Sequence, residues 1–518
     1  MKIEILDSTL RDGAQGLGIS YTVKDKLQIV KILDDYGVDF IEAGNPSSTF
    51  KDTDFFKQAV KLQLKNSKIV SFGPTRRKDT AVENDVNIKA LLETDTEYIT
   101  VFGKCSLLHT EKILKTSKVE NLKMISDSLE FLTKNGKKVF FDAEHFFDGF
   151  KLNPEYALEC IKTAENAGAY RIILCDTNGG TFSEDIAKII QSVKSEIKIP
   201  LGIHCHNDID FATANTVTAV NNGVTHIQGT FIGIGERCGN ANLSAVIPNL
   251  QLKSDYHCVE HIEDTTFAAK QIAEISNIKL PEYMPYVGTN AFSHKAGMHV
   301  DGVLKATESF EHISPEVIGN QRNIVLSEVA GSSLIKEKLK KISPDIMDDT
   351  VIVNQLVDVI KKQEFKGFTY EVAEASFELI VLKYLGRLKN FFDVEYYNVT
   401  ATKEILSESL NVAAVKINVK GRTEMAAAEG KGPVNAIDKA LRLALSFFYP
   451  HLVTMSLTDY KVRIIDSVSA TAALTRVLIE SSDGLRSWNT VGVSQDIIEA
   501  SVQALTDSLL YYLTHKND

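Results

Sequence analysis

Two histidines one residue apart, His204 and His206 in "GIHCHND" (Gly202–Asp208), have the type and spacing to bind a divalent metal. In a strand, residues i and i+2 share a face, so both imidazoles project together while Cys205 points away. Paired imidazoles match the nitrogen donor set of such an ion. A hydrogen-bonded structural pair and half of a zinc finger are the competing readings. The chain has six cysteines and no Cys-x-x-Cys pair, which removes the zinc finger and any disulfide framework. Cys205 and Cys238 are read as packing residues. A metal needs a further ligand, preferably an acid. "STLRDGAQG" places Asp12 beside Arg11, and in "GIGERCGNAN" Asn240 could add a carbonyl oxygen. The glycine spacing of that last loop misses the dinucleotide fingerprint by one residue.

These residues need a frame to bring them together. From residue 1 to about 250 the chain alternates eight apolar runs with amphipathic stretches: "IEILDST", "VDFIEAG", "KIVSFGP", "EYITVFG", "KKVFFDAE", "YRIILCD", "PLGIHCH" and "VTHIQGTF". The stretches between them carry helix punctuation, as in Thr22–Gly37, opened by Thr and closed by Gly, and Asn153–Gly168, with Pro154 at the first helical position. The rhythm predicts a (β/α)8 TIM barrel, with an open doubly wound sheet as the alternative. Barrel active sites lie at the C-terminal ends of strands, where Arg11, Asp12, Glu42, Glu144, Asp176, Thr177, His204 and His206 fall. In a closed barrel the first strand lies near the seventh, within reach for Asp12 to complete a two-His-one-carboxylate face.

Three domains are expected: the barrel over 1–275, a mostly helical linker over 276–390 and a C-terminal domain over 391–518. The last contains a strand–helix pattern twice, with Gly432, Ile437, Ala440, Ala444 and Leu445 matching Gly492, Ile497, Ala500, Ala504 and Leu505. A duplicated α+β fold with few clustered ionisable groups suits regulation better than catalysis. A net charge of −11 argues against a nucleic-acid partner, although a local cluster of Arg and Lys can still attract an anion. No run approaches the roughly 20 apolar residues of a membrane span, and "MKIEILDSTLRDG" has no signal-peptide core, so a cytoplasmic setting is expected.

"DSTLRDGAQ", "IEAGNP", "DAEHFFDG", "GIHCHND", "GIGERCGNANLSAVIPNLQLK" and "NAFSHKAGMHVDGVLK" together resemble the isopropylmalate, homocitrate and citramalate synthases of the DRE-TIM metallolyase superfamily. The resemblance covers essentially the whole chain. It implies metal ligands at Asp12, His204 and His206, with Asn240 more distant, and one divalent ion among Zn, Mn, Mg and Co. It also implies that Arg11 binds and polarises a 2-oxoacid, that Glu42 orients Arg11, and that Thr177 contacts the substrate carboxylate. Glu144 becomes the base for the acetyl group of acetyl-CoA. His299 and Asp301 are expected to reach the site from beyond the barrel, from the partner subunit of a homodimer. Asp142, two residues from Glu144, and the adjacent His145 are rivals for the base, and His294 for the role of His299. The lesser reading of Arg11–Glu42 is a structural ion pair at the barrel rim.

Ala14, where the leucine-pathway enzymes more usually carry Glu, makes the chain read like the citramalate-forming branch. The reaction implied is condensation of acetyl-CoA with pyruvate, with feedback by isoleucine bound somewhere within 391–518. The alternative within the family is isopropylmalate formation from 2-oxoisovalerate, whose wider pocket would involve the surroundings of Phe72 and Phe102. A biotin-dependent carboxyltransferase is disfavoured because no "AMKM"-like hairpin is present, and a non-enzymatic regulator because every ligand position is intact.

Overall fold

The computed structural model describes residues 1–295, 297–324, 332–402, 410–465, 473–484 and 486–516. Each of the eight apolar runs contains one strand: β1 (Glu4–Asp7), β2 (Phe40–Glu42), β3 (Lys68–Pro74), β4 (Tyr98–Lys104), β5 (Lys138–Glu144), β6 (Arg171–Asp176), β7 (Leu201–Cys205) and β8 (His226–Gly229). They form a closed parallel barrel, in which β1 pairs with both β2 and β8, so the open-sheet alternative falls.

The helix punctuation works as the spacing predicts. Thr22 and Asp25 form a reciprocal capping box at the start of the helix Val23–Tyr36, and Gly37 ends it in the left-handed conformation. Asn153 caps the helix Pro154–Asn166 through its side chain.

Strand alternation then divides the barrel interior into layers. Leu6, Phe40, Val70, Tyr98, Phe140, Ile173 and Cys175 form a buried cluster that fills its middle. Two residues further along their strands stand Glu42, Phe72 and Asp142, so above the apolar plug the same inward face carries two carboxylates beside an aromatic ring.

By packing, the described chain forms two compact units, 1–292 with 313–322 and 293–312 with 323–518. The stretch 276–390 is thus divided between them. In the second unit, two three-stranded antiparallel sheets each precede a helix. β9 (Asp393–Thr402), β10 (Leu410–Val419) and β11 (Arg422–Gly430) precede the helix Pro433–Ser446. β12 (Ser456–Ile464), β13 (Thr475–Ser482) and β14 (Ser487–Ser494) precede the helix Ile497–His515. The duplicated unit is therefore β-β-β-α. Ala440, Ala444 and Leu445 and their counterparts Ala500, Ala504 and Leu505 are all buried. The match fails at its leading end. Gly492 lies inside β14, where a Cβ would sit 1.9 Å from the Ala500 carbonyl oxygen, whereas Gly432 caps a helix. The strand glycine pressed against the first helix is Gly430, because β14 runs on past its glycine and β11 ends there. No helix among the described residues is long and apolar enough to cross a membrane.

Candidate active site

The C-terminal mouth of the barrel holds a cavity of about 210 Å³ lined by Arg11, Asp12, Phe72, Phe102, Asp142, Glu144, Thr177, His204, His206 and Arg237, among others. Its walls thus bring together residues from β1, β3, β4, β5, β6 and β7 and the loops that follow them. His204 and His206 face the cavity side by side, with Nε2 atoms 3.4 Å apart. Asp12 Oδ2 lies 3.4 Å from His204 Nε2 and 3.9 Å from His206 Nε2. Cys205 is buried on the opposite side of the strand, in the core outside the barrel. Cys238 is exposed rather than packed, since it sits on the loop that crosses the mouth.

The three ligand atoms lie within 4.8 Å of one another, a separation one divalent ion can bridge. The surroundings fit that use. Gln228 on β8 donates its amide to Asp142 Oδ1 (3.1 Å), so its carbonyl accepts from His204 Nδ1 (3.0 Å). In the neutral ring that assignment leaves a lone pair on His204 Nε2, directed toward Asp12 and His206; burial works to lower the His204 pKa, but Asp12 outweighs it and raises it, so a metal ion bound there would displace a proton. Burial and the neighbouring His204 push His206 down to about 4, so its ring is neutral and able to coordinate. Burial works to raise the Asp12 carboxyl, but Arg11 and the imidazoles outweigh it and hold the group well below the usual carboxylate range. Asp12 Oδ1 and Asn240 Oδ1 are buried without a hydrogen-bond partner, as expected of atoms that face an ion. Asn240 is held by a bridge to His206 and by its own amide, which donates to the Ile234 carbonyl at 3.3 Å.

Arg11 is fixed on three sides. Its Nε donates to Glu42 Oε2 at 2.6 Å, one terminal nitrogen donates to Asp12 Oδ2 at 2.8 Å, and its guanidinium stacks 4.0 Å over the Phe72 ring. Phe72 in turn stacks on Phe102 at 5.0 Å, so the two aromatics form one wall. Glu144 reaches the same cavity and pairs with Lys104. Asp142 also lines it. Burial first, then the charge of Glu42, pushes its carboxyl up to about 7. Thr177 Oγ accepts the His145 backbone N–H at 2.8 Å, which leaves its hydroxyl proton free to donate.

His299 and Asp301 belong to the second unit, on the helix Gly297–Lys305. There the His299 ring stacks on Phe310 at 4.2 Å and Asp301 pairs with Lys305 at 2.6 Å. His294 is buried against Glu311, with its Nε2 at 3.0 Å from Glu311 Oε1. Sequence reasoning missed Gln228 and Arg237. Gln228 had one faint signal, a polar side chain on the inward face of an apolar strand. Arg237 has its Nε on Asp208 Oδ1 (2.7 Å) and one terminal nitrogen on both Asp208 Oδ2 (2.9 Å) and the Thr177 carbonyl (2.8 Å). It ties together the loops after β6, β7 and β8.

Fold and site together define a TIM-barrel protein with a buried two-His-one-carboxylate site at its mouth. Residues 2–278 match the HMGL-like family, 286–366 the homocitrate synthase post-HMGL domain-like family and 371–513 the LeuA allosteric (dimerisation) domain. The chain is 46% identical to the (R)-citramalate synthase of Aquifex aeolicus over 99% of its own length and 98% of that protein. It is 43% identical to that of Geobacter sulfurreducens over 100% and 98%. The 2-isopropylmalate synthase of Methanocaldococcus jannaschii is 31% identical over 98% and 94%. The chain belongs to the HMGL-like family and, within it, to the (R)-citramalate synthases.

Proposed function

We propose that the protein condenses acetyl-CoA with pyruvate to give (R)-citramalate and free CoA, in isoleucine biosynthesis. One observation carries the reading: a fixed guanidinium and a carboxylate, Arg11 and Glu144, face one cavity beside a ready ligand set. Asp12, His204 and His206, with Asn240 as a further oxygen donor, would hold a divalent cation (Zn, Mn, Mg or Co), which would supply Lewis-acid chemistry to the 2-oxoacid. Arg11 places a second positive charge where the alkoxide forms. Thr177 donates its hydroxyl proton to the substrate carboxylate. Glu144 is the base, and removes a proton from the acetyl methyl group. Its rival Asp142 is engaged by the Gln228 amide.

The resulting enolate carbon attacks the keto carbon, and the carbonyl π pair moves to oxygen, which takes up a proton. His299 is assigned to proton delivery and Asp301 to substrate contact, both from the partner subunit of a cytoplasmic homodimer. Water then cleaves the thioester, releasing CoA as the thiol. The stacked Phe72–Phe102 wall and the small cavity favour pyruvate over the branched 2-oxoisovalerate. The match of 371–513 to the LeuA allosteric (dimerisation) domain supports feedback regulation, for which isoleucine is the proposed effector.

CoA release with pyruvate and, separately, 2-oxoisovalerate tests the reading. Strong preference for pyruvate, lost on chelation and restored by a divalent ion, is the expected result. Preference for 2-oxoisovalerate would keep the mechanism and move the protein to the leucine pathway.

A further inference from the structure

The second unit holds a cavity of about 410 Å³, roughly twice the volume of the catalytic one. It opens among three helices, Thr350–Phe365, Glu374–Tyr384 and Ile497–His515. Its walls are mainly apolar, with Val359, Phe368, Leu379 and Leu510 among them. Phe368 and Tyr370 line it with near-parallel rings, their centroids 6.3 Å apart and their planes 12° apart. That size and lining suit a small organic molecule.

Three polar side chains converge on this apolar space with bonding capacity to spare. Tyr370 is 3% exposed, and its hydroxyl makes no hydrogen bond among the described residues. Asp507 spends Oδ2 on the Ser376 hydroxyl, at 2.8 Å, and its Oδ1 has no partner among the described residues. Lys383 lines the cavity too and forms no ion pair among the described residues. Burial raises the Asp507 pKa, while the Ser376 hydrogen bond and the Lys383 charge oppose that rise. The carboxylate thus feels the cation without being neutralised by contact with it.

Opposite charges held apart across an apolar floor match a zwitterion that carries an apolar side chain. A buried phenol with nothing to bond is a cost that a ligand oxygen relieves. We propose that this cavity binds a free aromatic α-amino acid. Its ammonium donates to Asp507 Oδ1, its carboxylate accepts from Lys383 and the Tyr370 hydroxyl, and its ring lies against Phe368. The near-parallel rings select an aromatic side chain over an aliphatic one. The site uses none of the catalytic residues, so the proposal does not rest on the acyl-transfer reading.

Calorimetric titration of the full-length chain at pH 8 tests it. The probes are L-phenylalanine, phenethylamine, which lacks the carboxylate, and 3-phenylpropanoate, which lacks the ammonium. L-phenylalanine is expected to bind saturably, and each one-charge analogue ~10-fold or more weakly. D507N, which keeps an oxygen for Ser376, should lose ~10-fold or more of the affinity for L-phenylalanine and none for 3-phenylpropanoate. K383M should show the mirror pattern, weakening L-phenylalanine and sparing phenethylamine. No saturable binding by the wild type would overturn the proposal, as would unchanged L-phenylalanine affinity in either variant. L-isoleucine binding that is tighter than that of L-phenylalanine, and lost in D507N, would overturn the aromatic class and make the cavity the seat of feedback instead.

Discussion

Single side chains at the barrel mouth do separable jobs. Glu144→Gln keeps size and hydrogen-bonding capacity but removes the base. It should lower kcat by about 10²–10⁴-fold, with KM for pyruvate nearly unchanged in steady-state kinetics. Gln228 acts through its neighbours, since it fixes the His204 ring and satisfies Asp142. Gln228→Leu should weaken divalent-ion affinity by about 10–100-fold in a metal titration of the chelated protein, and high metal concentration should recover part of the activity. That Asp12, His204 and His206 meet was legible because residues i and i+2 of a strand share a face and because all three fall at strand ends. Gln228 and Arg237 were not, because their partners are 24 or more residues away in sequence and meet them only through the barrel's closure. Cys238 was misread for a related reason: nearness to ligands in sequence says nothing of which way a loop residue points.

At the scale of elements, packing between helices and sheets explains both what the sequence revealed and what it hid. The eight barrel strands stood out because parallel strands are buried on both faces and read as continuous apolar runs. β9 and β12 did not: each forms the edge of an antiparallel sheet, and "DVEYYNVTAT" and "SLTDYKVRI" are half polar. The helix Glu374–Tyr384 packs against the second sheet and its helix, with Ser376 Oγ both accepting from the Val491 backbone and donating to Asp507 Oδ2 at 2.8 Å. A cut near residue 390 would therefore open this core. Feedback is better tested on the intact chain, where isoleucine is expected to inhibit and leucine to do so weakly in the CoA-release assay.

The same contact sets a pH dependence. Burial pushes the Asp507 carboxyl up to about 6, against the opposing Ser376 hydrogen bond. The native chain holds this proton more tightly than the unfolded chain, whose Asp titrates near ~3.9. This group's effect is thus to lower stability as pH rises from about 4 to about 6, after which the loss is constant. D507N should melt several degrees above the wild type at pH 8 and no higher at pH 4, read by thermal denaturation.

For the molecule as a whole, the apolar plug has a kinetic consequence. Leu6, Phe40, Val70, Tyr98, Phe140, Ile173 and Cys175 close the barrel from below, and beneath them Glu4 pairs with Arg171 at 2.6 Å. Traffic through the catalytic cavity therefore uses one opening. Whichever reactant sits deeper must arrive first and depart last, and the deeper place is beside Arg11 and the histidines. With the 2-oxoacid in that place, the expected kinetics are an ordered queue, 2-oxoacid before thioester, and initial-rate patterns with a dead-end thioester analogue check it.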